Sequence, residues 1–150
     1  MTQPNPDYAG RQYPPGDAAA VTADAIRAFA TATGAANELH HRTDAARAAG
    51  YRDIVATPTF LVSLAQQAEA AYINDPDAGV DFSRVVHSDE SFDLARPIVA
   101  GDVLTPQLTV ESVKSVGPHA MISTRVDFTD ADGAHAASVR SSLVVRGEEN

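Results

Sequence analysis

Cysteine is absent from this 150-residue chain. Its absence removes disulfides, thiolate zinc sites and cysteine nucleophiles together, and suits a cytoplasmic protein. Basic clusters are missing too. No run of Lys or Arg exceeds two neighbours, and 11 basic against 20 acidic residues leave a net charge of -9. A nucleic-acid-binding surface lacks its electrostatic footprint under those conditions. No apolar run approaches the roughly 20 residues that cross a bilayer. The opening MTQPNPDYAGRQYPPGD holds neither a basic n-region nor an apolar h-region, so no signal peptide is expected. There is no G-x-S-x-G, no G-x-G-x-x-G, no P-loop and no His/Asp/Glu spacing typical of a metal site. No cofactor and no metal are therefore expected. What remains is an ordinary globular composition, 44% hydrophobic and 21% charged. That is one domain's worth of chain, able to bury about two-thirds of its unfolded surface.

Residues 1–20 read as an extended lead-in, with Pro4, Pro6, Pro14 and Pro15 breaking regular structure and Tyr8 and Tyr13 tacking it onto the body. A single domain over 21–150 follows. The pattern predicts a helix over 22–33, capped by Thr22, with Asp24 in its first turn, Ile26, Phe29 and Ala30 on one face, and Gly34 as its stop. A short helix is expected over 44–49, between Thr43 as cap and Gly50. A third is expected over 58–72, with Thr57 as N-cap and Pro58 as first helical residue. Its face of Phe60, Leu61, Leu64, Ala65, Ala68 and Tyr72 is broad and Glu69 is its one charge, so it reads as a helix covered on most sides.

The period then changes to two. A strand is expected over 83–93, then a loop over 95–102, then alternating segments over 103–114, 119–129 and 135–146. Val116-Gly117-Pro118 and Asp132-Gly133 mark the reversals between them. The expected fold class is α+β, a curved antiparallel sheet wrapped on a central helix.

Three stretches carry a family likeness: YAGRQYPP in the lead-in, AARAAGYRDIVATPTF over 45–60, and RVVHSDESFDLARPIVAGDVL over 84–104. With these in this order the chain resembles the MaoC-like hotdog-fold dehydratases and hydratases, roughly over 8–146. It is most similar to the branch of fatty-acid-synthase-like dehydratase N-terminal domains, which includes subunits of mycolic-acid (3R)-hydroxyacyl-ACP dehydratases. The resemblance implies a single hotdog domain that dimerises by joining sheets edge to edge. It also implies an acyl-CoA or acyl-ACP thioester as ligand.

Active members carry a motif of the form G-D-x-N-P-aliphatic-H. A carboxylate and an imidazole are aimed at one water that adds to, or leaves from, an enoyl thioester. A backbone N–H from the Gly of an A-H-G sequence, at the start of the central helix, holds the thioester oxygen. Carried over by this likeness, Gly34 falls at the Gly, Ala35 at the Asp, Asn37 at the Asn, Glu38 at the Pro, Leu39 at the aliphatic position and His40 at the His. At the helix start Ala56 matches, Thr57 replaces the His, and Pro58, which has no N–H, replaces the Gly. His40 and Asn37 are thus the candidate catalytic residues, and Gly34, Thr57, Pro58 and Thr59 the candidate substrate contacts. Losing an oxyanion donor costs about 3–4 kcal/mol of transition-state stabilisation, and losing a general base roughly 10²–10⁴ in rate.

The implied function is therefore a dehydratase-family subunit that binds the acyl chain without catalysing. It would sit beside a second hotdog chain carrying an intact Asp/His dyad. A self-sufficient R-specific enoyl-CoA hydratase using His40 remains open, as does a homodimer. A hotdog thioesterase using Glu69 is a further alternative. Plainer roles accompany each residue. His40 reads equally as a loop histidine bonded to backbone, with nothing in the sequence to orient it. His41 reads as a solvent-side neighbour, Asn37 as a turn residue, and Asp44 as a carboxylate serving its own helix rather than a substitute acid for His40. Glu69 reads as lying on the helix's wet edge beside Gln66. His87, His119 and His135 are scattered over strands and turns.

Overall fold

The computed structural model describes residues 3–148. Residues 1–2 and 149–150, the outer ends of the expected 1–20 and 21–150 units, lie outside the described residues.

Alternation of apolar residues builds the sheet. Five strands, β1 (Ala19–Ala20), β2 (Val85–Leu94), β3 (Val103–Val116), β4 (His119–Thr129) and β5 (His135–Val145), form one antiparallel sheet in the order β1-β3-β4-β5-β2. Leu104, Leu108 and Val110 of β3, Ile122, Val126 and Phe128 of β4, and Ala137, Val139, Leu143 and Val145 of β5 are buried on one face. These are the residues that the period-two pattern selects. Gly117 and Gly133 take positive φ at the two hairpin turns, where residues with a Cβ would be strained.

Three α-helices precede β2 among the described residues, and the third packs on that face against β3 and β4. Helix α1 (Ala23–Thr33) starts where the Thr22 hydroxyl accepts from the Ala25 amide at 3.1 Å, and ends at Gly34 with φ 74°. Helix α2 (Thr43–Ala48) begins one residue before the expected start. Thr43 is its first residue rather than its cap, and its hydroxyl turns to Asp53 at 3.4 Å. Helix α3 (Val62–Ile73) begins four residues later than the Thr57-Pro58 pair predicts. Residues 57–61 form tight turns instead, with Phe60 N bonded to Thr57 O and Val62 N to Thr59 O, each 3.1 Å. Within these turns the Phe60 ring packs edge-on against Phe29, centroids 5.7 Å apart. Thr57 is not a cap; its hydroxyl is buried with no partner among the described residues. Nor is α3 covered on most sides in the single chain: Ser63, Gln66, Gln67 and Ala71 are exposed.

The lead-in is fastened rather than loose. Gly10, Tyr13 and Gly16 donate backbone bonds to Val110, Leu108 and Pro106 of β3, and Gln12 bridges to Thr109. The Tyr8 and Tyr13 hydroxyls both donate to Asp75, at 3.1 and 3.2 Å, and both rings pack on buried Tyr72. No helix among the described residues is long and apolar enough to cross a membrane.

Candidate functional site

The segment between α1 and α2 folds back on the approach to α3. Asn37 caps a single 3-10 turn, Glu38–His40, its side-chain oxygen accepting from the Leu39 amide at 3.0 Å. The turn is tied to the next layer by the Val55 amide, which donates to Leu39 O at 2.9 Å. In return the His40 ring reaches Val55 O with Nδ1 at 2.6 Å. A carbonyl only accepts, so Nδ1 carries the proton and the neutral ring keeps its lone pair on Nε2. The expectation that nothing orients His40 is corrected here. A backbone carbonyl two residues before Thr57 fixes both its tautomer and its tilt. His41 is likewise engaged, with Nε2 2.6 Å from Ala35 O, and so is not a free solvent-side neighbour.

The candidate site residues are thus brought into one region by backbone bonds between 37–40 and 54–56. Ala56 N continues the pairing to Ile98 O, and Ala100 N to Ile54 O. Within this region Thr57 is buried, while Pro58 and Thr59 are exposed. Gly34 ends α1 and is open to solvent, with nothing near where a Cβ would project. Asp44 does not reach His40. It binds Arg42 at 2.6 Å and the Ala45 amide at 3.0 Å, serving its own helix.

Glu69 is not on a wet edge. It is 4% exposed, and its Oε1 accepts from the Thr124 hydroxyl of β4 at 2.6 Å. Burial pushes its pKa up. The Thr124 bond opposes the rise, nearby Glu90 adds to it, and His87 opposes it. The carboxyl borders a gap of about 290 Å3 between α3 and the start of β2, shared with Gln66, Ile73, Phe82 and His87. His119 is instead taken up by the Gly147 amide, and His135 lies 3.3 Å from the Ser138 hydroxyl.

One cluster escaped sequence reasoning altogether. Asp102 is buried, 6% exposed, and receives Arg96 (2.9 Å), Arg52 (3.0 Å) and the Val99 amide (2.9 Å). Arg96 also reaches Asp130 at 3.3 Å. Burial pushes the Asp102 pKa up, but its hydrogen bonds and the positive charge of Arg96 outweigh that and hold it below the usual carboxylate range. The clamp pins the 95–102 loop, whose Ile98 and Ala100 hold residues 54–56 in place behind His40. An Arg and an Asp six residues apart in a loop give no signal of this until the loop is folded.

A five-stranded antiparallel sheet curled around a helix is the hotdog architecture. A family profile described as "FAS1-like, dehydratase domain region" matches residues 8–139, and the chain belongs to this family. A UPF0336 protein of Leifsonia xyli subsp. xyli is 45% identical over 149 residues, covering 99% of this chain and all of that one. The solved C-terminally truncated HadBC (3R-hydroxyacyl-ACP dehydratase) complex from Mycobacterium tuberculosis matches with a TM-score of 0.83 at 27% identity. That match covers 92% of this chain and 97% of the other. A MaoC-like dehydratase matches at 0.86 and 26% identity, covering 93% of this chain and 42% of that longer one.

Proposed function

We propose that this chain is the acyl-chain-binding, non-catalytic subunit of a cytoplasmic (3R)-hydroxyacyl-thioester dehydratase, paired with a second hotdog chain that brings the Asp/His dyad. The observation that carries this reading is Ala35. The methyl group at the position of the family's catalytic acid cannot hold or move a proton, and Ala35 O is already bonded to His41. Pro58 adds to it, since a residue without N–H donates nothing to a thioester oxygen. The likeness to a complex named as a (3R)-hydroxyacyl-ACP dehydratase supports the substrate class, acyl-ACP or acyl-CoA, and the pairing.

Hydration of crotonyl and longer trans-2-enoyl thioesters tests it. The chain alone is expected to show little or no turnover, and activity is expected only with the cognate second chain. Turnover by the chain alone in the ordinary range of about 1–10³ s⁻¹, abolished by His40→Ala, would overturn the reading.

One observation favours a self-sufficient hydratase as second reading: the Val55 carbonyl leaves Nε2 of His40 free as a base. Under the preferred reading Ala35→Asp alone restores little. Ala35→Asp with Pro58→Gly exceeds the product of the single effects by about tenfold or more, because acid and oxyanion donor act on one transition state. Full rate from Ala35→Asp alone would show that the donor is not limiting.

A further inference from the structure

The sheet has an inner face on which α3 packs and an outer face turned away from it. Pairing register sets the outer residues in rows across the strands. Nearest the β3–β4 turn, Arg84, Arg146 and His119 border one recess, with Val116 opposite His119. The next row is Val86, Val144, Met121 and Lys114. Asp89, Ser142, Ser123 and Ser112 follow, and beyond them Arg125 and Arg140 stand opposite each other.

The two ends of this face are built differently. Arg125 and Arg140 both reach Glu111, at 3.4 and 3.2 Å, and Arg125 also bonds Asp127 at 2.9 Å, so their charge is matched on the spot. At the other end neither of the first two rows holds an acidic residue. Arg84 is met from the flank by Asp81 and Glu148, at 3.4 and 3.7 Å. Lys114 and Arg146 are exposed and have no ion-pair partner among the described residues. His119 accepts from the Gly147 amide through Nδ1 at 3.0 Å, so its neutral ring keeps a proton on Nε2 to donate. Among these groups Val116, Val86 and Met121 are 51%, 46% and 42% exposed, three of the five large apolar side chains that stand open among the described residues.

Single exposed apolar residues are ordinary, whereas an apolar row bordered by unmatched cations marks a recognition surface. Here it lies on a chain of net charge -9, so the patch and the rest of the surface have opposite signs. Four strands about 4.8 Å apart and two rows about 7 Å apart give a footprint of roughly 14 by 7 Å between Cα positions, enough for a short segment and not for a whole domain. An anionic bilayer would repel the remaining surface, which favours a protein occupant.

We propose that this end of the outer face docks a short acidic segment of another protein. Its apolar side chains cover Val86, Val144 and Met121, and its carboxylates reach Lys114, Arg146 and His119. The surface lies across the sheet from α3, so the docking is independent of the dehydratase reading.

A labelled peptide of about 16 residues, with Glu and Leu interleaved at helical spacing, tests it by fluorescence anisotropy with the full chain. Binding is expected in the range of about 10–100 μM at about 20 mM salt, weakening several-fold at about 300 mM. Lys114→Glu/Arg146→Glu should weaken it at least about tenfold, and Met121→Ser about threefold. Arg140→Gln, at the matched end, should leave it unchanged. Lys114 is the chain's one lysine, so acetylation of its amine, read by mass spectrometry, should slow with this peptide and not with one carrying Lys in place of Glu. Protection no greater than inorganic phosphate gives at matched ionic strength, or unchanged binding by the glutamate variant, overturns the proposal. Binding of phosphatidylglycerol vesicles through the same residues, with none of the peptide, overturns it too. Should the glutamate variant melt early, Lys114→Gln/Arg146→Gln removes the cations without adding acids, and unchanged affinity there is equally fatal.

Discussion

Glu69 and Asp102 are buried to nearly the same depth and answer burial in opposite directions. Asp102 collects two guanidinium groups and an amide, and stays ionised. Glu69 has one hydroxyl and a neighbouring carboxylate, and its proton is held more tightly. Depth alone therefore decides nothing; the number and sign of partners do. The first site is finished within the chain and the second is not.

Breaking the finished site is expected to have the larger effect. Asp102→Asn strands Arg96 beside a loop that loses its anchor, and should cost about 2–3 kcal/mol in urea unfolding, below the fully buried range because both arginines are partly exposed. The folded pKa of Asp102 is depressed. Its contribution is present above the unfolded carboxylate value of 3.8 and disappears as pH falls through the folded value, so the two proteins should converge in acid.

Glu69→Gln is the sharper test, because its sign is opposite. The folded pKa of Glu69 is raised, so the stability it confers is whole below the unfolded value of 4.5 and is lost as pH rises through the folded one. The variant should match wild type near pH 4 and become more stable by about 1 kcal/mol at neutral pH. A variant that is less stable at neutral pH would show that the carboxylate has a partner in solution. Arg52→Gln, removing a side chain 66% exposed, should cost about 0.5 kcal/mol or less. A larger loss would mean that the clamp acts as one unit.

Legibility in the sequence followed the range of the interactions. Cross-strand alternation and the Thr22 and Gly34 caps are local, so β3, β4, β5 and α1 fall within two residues of where the pattern puts them. The Thr57-Pro58 signature is also local, yet α3 starts only at Val62, after turns in which Phe60 packs on Phe29, 31 residues earlier in the chain. Thr124 is 55 residues from Glu69, and Arg52 is 50 from Asp102, so no window of sequence announces either contact. At the candidate site the motif likeness draws attention to Ala35 and Pro58 from sequence alone, whereas the carbonyl bonded to His40 has no such signal. Backbone groups carry no letter in a sequence.

The strap formed by residues 10–16 bears on stoichiometry. Pro14 and Pro15 have no N–H to offer a further strand, and the strap's bonds are already spent on β3. One flank of the sheet is thus terminated, and the β2 edge is the flank with no strand beside it among the described residues. Any growth by strand addition would be confined to that one edge, and would halt after one step with a neighbour terminated in the same way.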